Sequence, residues 1–157
     1  MSATIPAGRM SLSELAPRQY AAMARLDASI EFDSQLRELI NLRVSQINGC
    51  GFCIDMHWRD ARAAGESEER LYSLNAWYEG PYDERERAAL ALCEAITAIS
   101  DGHVPDEIWE RAAAEFETEE LSQLVFAITA INAWNRLAIT TRLKPGHYRP
   151  GDFSPPS

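Results

Sequence analysis

Ser45-Gln46-Ile47-Asn48-Gly49-Cys50-Gly51-Phe52-Cys53-Ile54-Asp55-Met56-His57 is the stretch on which the reading of this chain turns. Asn48-Gly49 tolerates left-handed backbone and so ends the helix before it. That helix carries Leu36, Leu39, Ile40, Val44 and Ile47 at helical spacing, with Asp33 or Ser34 as its N-cap. A new helix starts at Cys50 or Gly51 and runs to about Ala64, where Gly65 closes it. The pattern repeats outward. Upstream, a helix over about 16–30 places Tyr20, Met23 and Leu26 on one side. Downstream, Ser67 caps a short helix with Glu68 and Glu69 in its first turn. Asp83 and Glu86 form a capping-box pattern that opens a helix to about Ser100. Pro105 suits the first turn of another, and Thr118 caps a last one over about 119–142. No segment alternates as a strand does, so the chain reads as all-α, with about six to seven helices.

Bulk properties agree with one domain. The chain has 157 residues, 46% hydrophobic and 25% charged, enough for one core. We therefore read residues 1–157 as a single domain, with 145–157, rich in Pro, Gly and Ser, as an extended tail. A net charge of −9 argues against a phosphate-backbone binder, which needs clustered Lys and Arg. The start shows no basic-then-apolar leader, and the apolar run over 121–131 is too short for a membrane span. The expectation is a soluble cytoplasmic protein that binds neither nucleic acid nor membrane.

In such a compartment two cysteines separated by two residues point to redox chemistry or to a metal. Cys93 stands apart in an apolar helical pattern and reads as a buried small hydrophobe. Two facts favour thiol chemistry at Cys50 and Cys53. The pair falls at a helix start, where unpaired N–H groups and the positive dipole end stabilise a thiolate. Such sites lower a cysteine pKa to roughly 3.5–7.5, against about 8.5 free. His57 lies four residues after Cys53, one turn along the same face, where an imidazole can take or return the thiol proton. Glu38 falls opposite the main apolar stripe of its helix, which favours a solvated carboxylate. The Asn48-Gly49 turn nevertheless permits it to face His57 and orient the ring. Arg43, at the edge of the stripe, reads as half of a structural ion pair, and His103 and His147 read as solvated. Trp58, Trp77, Trp109 and Trp134 read as packing groups.

Glu38 followed by Cys50-x-x-Cys53-x-x-x-His57 resembles the signature of the AhpD-like alkylhydroperoxidases of the carboxymuconolactone decarboxylase superfamily. The likeness extends through Asp60-Ala61-Arg62-Ala63-Ala64-Gly65-Glu66, Glu84-Arg85-Glu86-Arg87-Ala88-Ala89-Leu90 and Ile131-Asn132-Ala133-Trp134-Asn135-Arg136. It implies an all-helical fold, assembly as a homotrimer or homohexamer, and peroxide reduction through the cysteine pair. The catalytic set it implies is Cys50, Cys53, His57 and Glu38. One departure is Phe52, where some members carry a His directly before the second cysteine.

Thiol chemistry then supplies the expected cycle. A thiolate attacks the peroxide and becomes a sulfenic acid, the neighbouring sulfur condenses with it to a Cys50–Cys53 disulfide, and an external dithiol restores both. Cys53, closer to His57, is the expected attacking sulfur, and Cys50 resolves; the reverse order stays open. The partners are a small peroxide and a dithiol or disulfide reductant protein, with no cofactor and no resident metal. Two other classes remain. Cys50, Cys53, His57 and Glu38 could ligate tetrahedral zinc in a non-catalytic helical oligomer. A decarboxylase-like lyase of the same superfamily would not rely on the cysteines.

Overall fold

A computed structural model describes residues 7–152. Every element among them is helical: α1 Leu12–Leu15, α2 Pro17–Ala28, α3 Ser34–Asn48, α4 Gly51–Ala63 and α5 Glu68–Ser73, which runs into a 3-10 segment Leu74–Glu79. α6 Glu84–Thr97, α7 Asp106–Glu115 and α8 Thr118–Thr141 follow. The all-α expectation holds, with more elements than the six or seven expected. The additions are the four-residue α1 and the 3-10 segment, both too short to carry a hydrophobic period.

The caps explain most of the boundaries. Asp33 accepts the Leu36 N–H at 2.7 Å to start α3. Gly49 ends α3 at φ 72°, a left-handed position that glycine occupies without steric cost. Ser67 accepts the Arg70 N–H, and Asp83 and Glu86 form a reciprocal capping box. Several boundaries differ from expectation, among them the end of α6, at Thr97 rather than about Ser100. α2 stops two residues before Ile30, which leaves the helix and is buried. Pro105 is the N-cap residue of α7 rather than its first helical residue, and Thr118 is the first residue of α8 rather than its cap.

α3 is the hub, packing against α4, α6 and α8. Leu39, Ile40, Leu42 and Val44 are therefore almost fully buried, joined in one core by Leu90 and Leu92 of α6, Leu124 and Ile128 of α8, and Leu71 and Leu74. Cys93 sits wholly inside this core as a free thiol, and burial pushes its pKa well above the ordinary range. A polar belt stitches α3 to α8. Asn48 donates to Asn132 and Asn135, Asn135 donates to Ser45, and Asn132 donates to Thr97, each at 3.0 Å. Such buried amides are stable only when satisfied, so the belt fixes how the end of α3 meets α8.

Beyond α8 the described residues do not extend away as a tail. Residues 145–152 lie back over α4: Gly146 N–H donates to Asp55 at 2.9 Å, and Tyr148 is 7% exposed. The anchor is an aromatic residue inside a Pro/Gly-rich composition, which conceals it. Residues 153–157 of the expected tail lie outside the described residues. Among the described residues no helix is long and apolar enough to cross a membrane.

Candidate active site

The site begins with the turn. Left-handed Gly49 lets the Cys50 N–H bond back to the Ser45 carbonyl at 3.0 Å, which places Cys50 as the N-cap residue of α4. Its sulfur accepts the Cys53 N–H at 3.3 Å, so the helix-terminal amide acts on Cys50 itself. Cys50 and Cys53 are joined as a disulfide with their Cα atoms 5.3 Å apart. Both are nearly inaccessible, at 1% and 2% exposure, and Ala138 of α8 and Phe52 pack around them.

One turn further along α4, His57 is buried at 7% exposure. Its Nδ1 lies 2.8 Å from Glu38 Oε2 on α3. The solvated reading of Glu38 is thus corrected. The wheel position that looked outward from the α3 stripe faces α4, which packs along α3. With Glu38 ionised, Nδ1–H donates to it and Nε2 carries the lone pair. Nε2 is buried and has no hydrogen-bond partner among the described residues, leaving that nitrogen for a proton in transit.

Two residues not anticipated from the sequence join this group. Asp60, three residues after His57, brings a second carboxylate, and one ligand-type atom from each of Glu38, His57 and Asp60 lies within 4.8 Å of the others. The Tyr148 hydroxyl, arriving from the strap over 145–152, donates to both Asp60 oxygens at 2.8 and 2.9 Å. Burial pushes the Asp60 carboxyl above its usual range; the Tyr148 bond opposes that, and the Glu38 charge adds to it. Burial, then the bond to Asp60, drives the Tyr148 phenol well above the ordinary range. Asp60 was visible in principle, since a residue three places beyond His57 shares its helical face. Tyr148 had no local signal, because its role depends on the chain returning across 88 positions.

The remaining candidates divide plainly. Arg43 pairs with Glu94 at 2.7 Å, and Trp77 Nε1–H donates to the same carboxylate at 2.7 Å, which makes Arg43 structural. His103 and His147 are exposed. Trp134 meets Tyr20 edge-on at 5.3 Å, whereas Trp58 and Trp109 remain partly in solvent. The zinc alternative needs both thiolates as ligands, and here the two sulfurs are bonded to each other.

Comparisons with known proteins agree with this geometry. The model of the carboxymuconolactone decarboxylase family matches residues 15–95, a span that holds Glu38, Cys50, Cys53, His57 and Asp60 but not Tyr148. YdfG of Bacillus subtilis (strain 168), an uncharacterised protein, is 45% identical over 135 residues, covering 83% of this chain and 92% of YdfG. A crystallised protein of unknown function from Agrobacterium tumefaciens, described as an antioxidant-defence AhpD, superposes with a TM-score of 0.86 at 36% identity. That match covers 90% of this chain and 100% of the other. The debrominase Bmp8 shares the fold alone, with a TM-score of 0.76 at 19% identity over 85% of this chain and 74% of its own. On the matched span, the shared helical core and the cysteine turn within it, the chain belongs to the carboxymuconolactone decarboxylase family, in its AhpD-like form.

Proposed function

We propose that this protein is a thiol-dependent peroxidase of the alkylhydroperoxidase type, cycling through the Cys50–Cys53 disulfide in the cytoplasm. One observation carries the reading: a cysteine pair at the start of a helix, already bonded, with a carboxylate-oriented imidazole one turn away. In the forward step the Cys53 thiol gives its proton to His57 Nε2 and the thiolate attacks the terminal peroxide oxygen. The O–O bond breaks, an S–O bond forms, sulfur gives up two electrons, and the departing alkoxide takes a proton from His57. Cys50 then attacks the sulfenic sulfur, forming the S–S bond and releasing water. A dithiol partner returns two electrons and two protons. Glu38 holds the ring through Nδ1 and leaves Nε2 as the nitrogen for the exchange.

The helix terminus and the imidazole favour different sulfurs, the former Cys50 and the latter Cys53. Assigning Cys53 as attacker rests on the need to supply a proton to the leaving oxygen, which the helix terminus cannot do. The same reading carries self-assembly as a homotrimer or homohexamer, supported by Trp109, Phe126 and Ile139 standing 45%, 53% and 44% exposed. Light scattering at working concentration checks it, and a monomer would oppose it.

The test of function is thiol titration of the reduced protein against stoichiometric organic hydroperoxide. Two thiols should vanish together in one equivalent and return with dithiol, and Cys53→Ser should abolish the loss of the pair. Thiols that persist beside excess peroxide, or unchanged turnover in Cys53→Ser, would end the reading.

A further inference from the structure

We propose that Asp60, held by the Tyr148 hydroxyl from the C-terminal strap, is a positioning residue of the reaction: a second carboxylate beside His57 that, with Glu38, sets the imidazole for proton delivery to the leaving oxygen. This rests on the peroxidase reading above and deepens it. It gives a task to a carboxylate and a phenol to which nothing else in the mechanism assigns one.

A carboxylate withdrawn from water and set beside a second one destabilises the fold unless something offsets the charge. Asp60 is half-buried and stands beside Glu38. Burial and Glu38 both disfavour its ionised form, and what works against them is the Tyr148 hydroxyl and the imidazole of His57. The hydroxyl bridges both carboxylate oxygens, which fixes the plane of the group as well as its charge. The titratable groups that face Asp60 are Glu38 from α3, His57 from its own helix, and Tyr148 and Asp152 from the strap. A structural role alone would be met more cheaply by an uncharged residue, because Tyr148 could donate equally well to an amide oxygen. The charge is what needs explaining.

Glu38, on Nδ1, and Asp60, with a ligand-type atom within 4.8 Å, bracket the ring that delivers the proton. Peroxide cleavage needs that proton at the moment the O–O bond breaks, because an unprotonated alkoxide is a poor leaving group. Alkylation of the same sulfur by iodoacetamide expels iodide and needs no proton at all. The two reactions therefore separate proton delivery from access and from sulfur nucleophilicity.

The experiment compares wild type, Asp60→Asn and Tyr148→Phe, each fully reduced. Two single-turnover rates are read on each: thiol loss with cumene hydroperoxide and thiol loss with iodoacetamide. Asp60→Asn keeps shape and the Tyr148 acceptor while removing the charge. It should slow the peroxide step at least about tenfold, the low end of what a general acid supplies, and leave alkylation within about threefold of wild type. Tyr148→Phe should slow the peroxide step in the same direction by a smaller factor. Equal slowing of both reactions would mean a merely structural role and overturn the proposal, as would peroxide rates in Asp60→Asn equal to wild type. If wild type itself loses no thiols to peroxide, the peroxidase reading fails and this inference falls with it. If wild type reacts and the variant is indistinguishable, the inference fails alone.

Discussion

At the scale of single residues, the cost of Asp60 yields a prediction with a definite sign. In the folded chain its carboxyl titrates above the ordinary 3.8, so the native state keeps that proton over a wider range than the unfolded chain does. Whatever stability the group lends is present below the unfolded value. It is lost as pH rises toward the folded value, and at neutral pH the burial cost remains. Asp60→Asn should therefore melt about 1–3 °C higher than wild type at pH 7, with the difference closing near pH 3–4, by thermal unfolding followed across pH. A variant that is slower yet more stable would mark Asp60 as placed for activity rather than for folding. His57→Ala and Glu38→Gln belong beside it. Each should reduce peroxide-driven thiol loss by about 10²-fold or more for the imidazole and less for its orienting carboxylate, read by stopped-flow thiol titration. The chemistry of Cys50, Cys53 and His57 was legible in the sequence because all three sit within eight positions on one helix and the turn before it. Glu38 was legible as a residue type but not as a contact, since which face of α3 meets α4 is settled by packing across two helices.

At the scale of elements, the polar belt between α3 and α8 sets where the cysteine turn lies. Asn135 is completely buried, accepting from Asn48 and donating to Ser45. Asn135→Ala should strip one bond from each of those groups, leaving Asn48 only its bond to Asn132 and Ser45 only its bond to the Asn41 carbonyl, and cost about 1–3 kcal/mol, measured by urea unfolding. It should also slow the peroxide step, because the end of α3 and the position of Cys50 share that anchor. Helix identities were recoverable from the sequence through their caps: Asp33, Ser67 and the Asp83–Glu86 box are local devices, complete within four residues. The belt was not recoverable, because Asn48, Asn132 and Asn135 become partners only when residues more than eighty positions apart meet. For the same reason α1 and the 3-10 segment escaped notice, neither being long enough to show a period.

Across the whole molecule, the strap over 145–152 connects the end of the described chain to both parts of the site. Pro145 approaches Gly51 closely enough that a Cβ there would lie 3.9 Å from its Cγ, while Tyr148 holds Asp60. Truncation before Pro145 should expose the cysteine turn and loosen the carboxylate together. Iodoacetamide should then react faster with the reduced pair than in wild type, while the peroxide step slows, a crossed response that mass spectrometry and thiol titration read on one sample. Unaltered alkylation would mean that the strap does not guard the turn.

Cys93 supplies a built-in reference for all of these measurements. Sealed among aliphatic side chains, it has no access to oxidant or alkylating agent while the chain is folded, and it is too deep to exchange with the pair. Once the protein is unfolded, oxidised chains should therefore present one reactive sulfur and reduced chains three. The constant contribution calibrates each sample against itself, so the redox state of the pair can be scored as a ratio without knowing the protein concentration.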